Sequence, residues 1–358
     1  MLAMGLHALA QVDAQHTQYF EVPSYYNPAA IGNTDFVNLR GGTRMQWVGI
    51  ENAPQSFVVT ADMPFKFLNK RFGVGAVMQQ ESLGLYKNLN IGVQLGYKFK
   101  LLKGEFTAGV QVGLLNESFK GSEVFIPDND DYHQSADDAI PTNDIGGNAF
   151  DLGVGVFYQH KYFWTGVSCT HVNSPTITLN AESGEGGNEK NYEFQAGRTL
   201  YFMAGSNIPI KNTLFEVIPS VLVKSDFTFT TGEITGRVRY NKFLSAGVGY
   251  RYNDAVMAMV GAEFKNFYLG YSYDYPMTDI AKESSGSHEI ILGYKLKLDF
   301  SEKNKNKHKS IRIMYLYYEK NFDLSITYRC SVACKFLHGR RTKFGRRRSH
   351  RCRRYIMG

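Results

Sequence analysis

The feature that most constrains this chain is a strict two-residue alternation, sustained over runs of about ten residues or more. Leu89, Ile91, Val93, Leu95, Tyr97, Phe99 and Leu101 are apolar, while the interleaved Asn90, Gly92, Gln94, Gly96, Lys98 and Lys100 are small or polar. Phe106, Ala108, Val110, Val112 and Leu114 alternate in the same way with Thr107, Gly109, Gln111 and Gly113. Near the end, Ile290, Leu292, Tyr294, Leu296, Leu298 and Phe300 do so against Gly293, Lys295, Lys297 and Asp299. A period of two gives a strand with one apolar face, and a helix cannot satisfy it. Runs of this length exceed the usual strand of a soluble fold and suit an oblique membrane crossing. No stretch approaches 18 uninterrupted apolar residues, so a spanning helix is excluded.

Fourteen strands are expected, near Val37–Trp47, Gln55–Pro64, Arg71–Glu81, Tyr86–Phe99, Glu105–Asn116, Ala149–His160, Tyr162–Asn173, Arg198–Ile208, Phe215–Lys224, Phe227–Tyr240, Phe243–Arg251, Ala255–Phe264, Phe267–Tyr275 and His288–Phe300. The connections after even strands are short and carry Lys66 and Lys70, then Lys103, Lys161, Lys211, Lys242 and Lys265. The long connections, Glu117–Asn148, Ser174–Gly197 and Pro276–Ser287, all follow odd strands. Tight periplasmic turns opposite long external loops are the signature of an outer-membrane barrel. The expected fold is therefore an all-β, antiparallel transmembrane barrel over 37–300. The aromatic content of 14% and the 35 glycines against ten prolines lean the same way.

The formal charge of +7 suggests an acidic partner until it is located. Residues 301–358 hold 17 Lys+Arg against 3 Asp+Glu, leaving 23 against 30 in the rest of the chain. The body is acidic, so the balance gives no argument for nucleic acid. The tail loses every upstream pattern and reads as disordered or non-native sequence added by a shifted frame or a lost stop. Three of the four cysteines lie there, leaving Cys169 alone in the body and excluding a disulfide framework. Met1–Ala10 is apolar and ends in Ala8-Leu9-Ala10, like the end of a secretory signal cleaved after Ala10. Residues 11–36 are then expected as a periplasmic segment ahead of the first strand.

Catalytic and cofactor signals are weak. His288-Glu289 would open a zinc-protease motif, but Leu292 stands where the second histidine is needed. Gly73-Val74-Gly75, Gly153-Val154-Gly155 and Gly247-Val248-Gly249 lack a third glycine and a following helix, so they read as room inside a barrel. The acidic loop carrying Asp128, Asp130, Asp131, Asp137, Asp138 and Asp144 does not fit a calcium loop and reads as solvated. His160 and His171 read as polar strand-end residues. No catalytic, metal or cofactor residue is assigned.

One ordered set of residues is not explained by such chemistry. Tyr26-Asn27-Pro28-Ala29-Ala30-Ile31-Gly32 precedes the first strand, and Arg44-Met45-Gln46-Trp47-Val48-Gly49-Ile50 ends it. Ala53-Pro54, Asp62-Met63-Pro64, Tyr271-Ser272-Tyr273-Asp274 and Gly286-Ser287-His288-Glu289-Ile290 follow. This set resembles the PorP/SprF family of the Bacteroidota type IX secretion and gliding machinery, over about 11–300. The resemblance implies a non-enzymatic outer-membrane barrel that works with periplasmic ring lipoproteins and helps secrete or anchor surface adhesins. Its motif positions, Tyr26, Asn27, Pro28, Gly32, Arg44, Gln46, Trp47, Pro54, Asp62, Asp274, Ser287, His288 and Glu289, are candidates for structural or partner contacts. Pro28 is expected to fix a turn; Trp47 is open between a membrane-interface and a partner role. A porin or hydrophobic-substrate channel is the alternative, since inward Asn90, Gln94, Lys98 and Gln111 suit an open lumen as well as a plugged one.

Overall fold

The computed structural model describes residues 13–124, 141, 143–181 and 192–297. The leader-like 1–10, most of the acidic loop and the basic tail therefore lie outside the described residues. Fourteen antiparallel strands form the barrel: β1 (Phe36–Met45), β2 (Gln55–Phe67), β3 (Lys70–Leu83), β4 (Tyr86–Leu101), β5 (Gly104–Lys120), β6 (Asp144–Gln159) and β7 (Phe163–Thr170), then β8 (Thr199–Ser206), β9 (Phe215–Ser225), β10 (Thr230–Tyr240), β11 (Leu244–Arg251), β12 (Ala255–Phe264), β13 (Phe267–Pro276) and β14 (Ser287–Lys297). Each pairs with its sequence neighbour, and β1 pairs with β14 from Phe36↔Lys297 to Met45↔His288, which closes the ring. Closure leaves the barrel wall without an unpaired edge, the condition for backbone polar groups to be satisfied in lipid.

Alternation sorts the two faces. On β4, Val93 is 61% exposed on the outside while Gln94 is fully buried inside. The short connections end the even-numbered strands, as expected. Several reverse through residues with positive φ, among them Leu68 and Asn69, Leu102 and Lys103, and Asn241 and Lys242. Two successive left-handed residues match the twist of paired strands, and asparagine tolerates that region well. The short turns thus gather at the end that the loop-length rule expects to be periplasmic.

At the outer end the strands run longer than the sequence indicated. β5 and β6 remain paired to Lys120↔Asp144, inside the connection expected to begin at Glu117. The loop after β7 carries its own hairpin, Thr176–Ala181 with Tyr192–Gln195, packed against Leu115 and Ile145.

Residues 11–36 were expected on the periplasmic side of the barrel. Within the described part, 13–32 instead lie inside the lumen. Tyr19, Val22, Ala29 and Ile31 are fully buried, and Tyr26 and Ala30 nearly so. The physical reason is the wall. Inward-facing polar groups such as Gln94, Gln111, Glu289 and Arg251 need partners once they are removed from bulk water, and this segment supplies them.

Candidate functional site: a plug bonded to the barrel wall

The described part of the plug runs from Asp13, in the outer half of the lumen, to the mouth where β1 starts. Its local form follows from its sequence. Pro23 opens the one-turn helix α1 (Pro23–Tyr26), a position where its missing N–H costs nothing. Asn27 ends it: its backbone N–H donates to Pro23 O (3.0 Å), and its side-chain oxygen accepts from Ala29 N (2.9 Å). Ala30 N then donates to Asn27 O (2.9 Å), and Gly32 takes φ of +59° to turn toward β1. The Tyr26–Gly32 motif is thus a compact folded knob built on an Asx turn.

Four layers of contacts hold the plug. At the top, the Asp13 carboxylate accepts from Tyr201 Oη (2.7 Å) and Thr170 Oγ1 (3.0 Å), and it faces His171 Nε2 at 3.2 Å. Lys224 Nζ donates to the Asp13 carbonyl at 2.7 Å. Asp151 holds the other imidazole nitrogen at 2.9 Å. Burial pushes the Asp13 carboxyl upward, but His171, Lys224 and the Tyr201 hydroxyl outweigh it and hold it well below the usual carboxylate range. Burial opposes the charged form of His171, yet Asp13 and Asp151 prevail and raise it to about 10.

Below lies a buried ionic layer. Arg44 on β1 pairs with Asp274 on β13 (2.8 Å) and sits 3.6 Å from Glu289 on β14. Arg251 on β11 pairs with Glu233 (2.9 Å) and lies 3.3 Å from Asp274. Thr17 is threaded through this layer. Its hydroxyl accepts from Arg44 Nη1 (2.7 Å) and donates to Asp274 Oδ2 (2.7 Å). Its backbone N–H and that of Gln18 donate to the two oxygens of Glu289, at 2.7 and 2.8 Å. With Asp254 at 2.8 Å from Arg251, four carboxylates meet two guanidiniums, and backbone N–H groups of the plug compensate part of the surplus negative charge.

The third layer is mid-barrel. Asn27 Nδ2 donates to the carbonyls of Val156 (3.0 Å) and Val167 (3.3 Å), and Ser168 Oγ donates to Tyr26 O (2.6 Å). Gln94 Nε2 reaches Ser24 O at 2.7 Å. Wall glycines make this approach possible: a Cβ on Gly109 would stand 2.4 Å from Pro28 O. At the mouth, Asp62 Oδ2 accepts from Gly32 N (2.8 Å) and Lys98 Nζ donates to Asn33 Oδ1 (2.6 Å). Beside the plug remains a cavity of about 220 Å³, lined by Phe20, Glu21, Trp164, Arg237, Arg239 and Phe243.

Of the motif positions singled out in the sequence, Tyr26, Asn27, Pro28, Gly32, Arg44, Asp62, Asp274 and Glu289 meet at the junction of plug and wall. The rest do other work. Gln46 N donates to Pro54 O (2.9 Å) across the β1–β2 loop. Trp47, at φ of +47°, donates its N–H to Ser287 Oγ at 3.1 Å, tying that loop to the start of β14. His288 points outward, 2.7 Å from Tyr271 Oη, and shares nothing with the buried Glu289 beside it.

Asp13, Thr17, Tyr201, Lys224, Glu233 and Arg251 were not singled out from the sequence. The available signal was charge at inward-phase positions, as in Glu233 and Arg251. His171, read as a polar strand end, anchors the plug. Among the described residues, no group of three or more His, Cys, Asp or Glu side chains is arranged to hold a metal ion.

The family model for the type IX secretion system membrane protein PorP/SprF matches residues 8–294. No curated protein matches the chain. Among solved structures, a Pseudomonas aeruginosa FadL homologue is similar at 10% identity and a TM-score of 0.47, over 82% of this chain and 96% of its own. The toluene transporter TodX of P. putida is similar at 10% identity and a TM-score of 0.43, over 76% and 92%. The translocator domain of the autotransporter NalP from Neisseria meningitidis is similar at 11% identity and 0.39, over 74% and 90%. At these scores the likenesses carry no argument about what this barrel binds or passes. The family match spans most of the chain, including both the plug and the closing strand: the chain belongs to the PorP/SprF family of type IX secretion system membrane proteins, in the outer membrane.

Proposed function

We propose that this barrel serves type IX secretion as a closed, non-enzymatic docking platform. Its periplasmic rim contacts lipoproteins of the secretion ring, and its outer loops help to deliver or anchor secreted surface adhesins. The observation that supports this reading is the plug. The lumen contains a segment hydrogen-bonded to most of the strands around it, which leaves the two rims and the outer loops as the surfaces available for work. A passive channel for small or hydrophobic molecules needs a continuous path, and here that would require breaking several buried polar contacts at once.

The test combines two measurements. In planar bilayers the wild-type barrel is expected to stay silent; a deletion strain is expected to lose secretion or gliding while small-molecule uptake is unchanged. Co-purification from mildly solubilised outer membranes should recover a periplasmic ring component or a secreted adhesin. Steady single-channel opening by the intact protein, with neither class of partner recovered, would defeat the proposal in favour of a channel.

A further inference from the structure

The outer face of the periplasmic rim carries a second pattern that the plug does not use. Aromatic rings facing away from the lumen form a ladder across four strands: Phe65 stacks on Phe72 (5.3 Å), Phe72 meets Tyr97 (5.4 Å), Tyr97 meets Phe99 (5.9 Å) and Phe99 meets Phe106 (5.0 Å). Such rings mark the level of the lipid headgroups. Three lysines from three separate short turns lie over exposed aromatic rings at this level. Lys70 Nζ lies 5.7 Å from the Tyr97 ring, Lys161 Nζ 5.1 Å from Tyr162, and Lys265 Nζ 5.3 Å from Phe264. The rings beneath them are 39%, 54% and 61% exposed.

A lysine on an exposed turn is usually solvated. These three instead hold the ammonium over exposed aromatic rings, 5.1 to 5.7 Å from the centroids, at the headgroup boundary. At the opposite rim, Lys120 and Lys282 pair with Glu123 and Asp279. Lys70, Lys161 and Lys265 form no ion pair among the described residues. Their ammonium groups are therefore available to an anion from outside the chain, at the depth where the inner leaflet presents phosphates. An acidic protein would approach from the periplasm, end-on to the turns, and the orientation of the lysines along the barrel's side favours lipid.

The geometry points to three separate binding sites for acidic phospholipid, one at each of Lys70, Lys161 and Lys265, that set the depth of the barrel against the inner leaflet. A basic side chain near an anionic membrane surface contributes about a fivefold gain in binding, so each site should lose about that factor when its charge is removed.

The experiment is native mass spectrometry of the full-length protein released from detergent containing phosphatidylglycerol or phosphatidylcholine. The wild type should retain up to three phosphatidylglycerol molecules above the phosphatidylcholine background. Each of Lys70→Gln, Lys161→Gln and Lys265→Gln should remove one, and the triple variant all three. Lys87→Gln, at the other rim, should remove none, and excess inorganic phosphate should displace none. Heat-modifiable migration on gels verifies that each variant is a folded barrel, and the three Lys→Arg variants should keep their lipid. Equal retention of the two lipids, or full phosphatidylglycerol retention by the triple variant, would overturn the assignment. So would a triple variant that keeps its lipid but loses a co-purifying periplasmic protein, since the lysines would then serve a protein interface.

Discussion

Removing the Glu289 carboxylate tests the plug at its most connected point. Glu289 is fully buried and accepts the backbone N–H groups of Thr17 and Gln18 at 2.7 and 2.8 Å. In Glu289→Ala both donors lose a charged acceptor inside the lumen. Hydrogen bonds to charged groups contribute about 1.5–3 kcal/mol each, and a stranded buried donor costs about 1–3 kcal/mol. Arg44 loses a neighbour at 3.6 Å but keeps Asp274 at 2.8 Å, so the full penalty of a broken buried ion pair does not apply.

These effects overlap rather than add, and a net weakening of about 3–5 kcal/mol is expected. That raises the undocked fraction by about two to four orders of magnitude. Ser24, 2% exposed on α1, is a suitable reporter because its side chain carries none of the described hydrogen bonds. With the four natural cysteines replaced, Ser24→Cys should resist maleimide in the wild type and label rapidly in Glu289→Ala, alongside discrete openings in planar bilayers. Thr17→Val, which removes one hydroxyl from the plug side, should move both readouts the same way by less. A folded Glu289→Ala barrel with unchanged labelling would refute the view that this ionic layer retains the plug.

Two further outcomes follow from the same contacts. Gly109→Val places a side chain where Pro28 O and Ala29 N already approach, at 2.4 and 2.6 Å, so the barrel should still assemble while Ser24→Cys labelling rises; unchanged labelling would show that the plug does not seat there. The Asp13–His171 contact should make plug retention depend on pH at both extremes. His171 is raised in the folded state, so its contribution is complete below about 6.5 and disappears as pH rises through about 10. Asp13 is depressed, so its contribution holds above its ordinary range near 3.8 and fades only as pH falls through its lowered value. Labelling should therefore be slowest between about pH 4 and 6.5, accelerate as pH rises from there and level off above about 10; His171→Gln should abolish that alkaline step.

How far the site could be read in advance differs from residue to residue. Arg44, Asp274 and Glu289 were marked only by the family resemblance, as motif positions, and not by any reading of their charge or strand phase. Their common purpose was hidden. Thr17 and Glu289 are 272 positions apart, and only barrel closure, which sets Arg44 opposite Glu289 across β1 and β14, brings the layer together. Asn27 was legible as a turn residue but not as a donor to the β6 and β7 backbones. Trp47 showed no preference in the sequence, and the structure places it in an outer loop tied to Ser287.

The sequence by itself determined the barrel, its fourteen strands and the end at which the short turns lie. Alternation is a local property: each residue's face is set by its immediate neighbours, and the parity of loop lengths follows from strand order. The path of residues 13–32 is not local in that sense. The segment has no two-residue period, and its hydrogen-bond partners come from strands more than a hundred positions apart. Only the closed ring creates the buried, polar-lined lumen that makes a folded plug more favourable than a solvated tail. The tertiary structure therefore decided whether the lumen is open or filled.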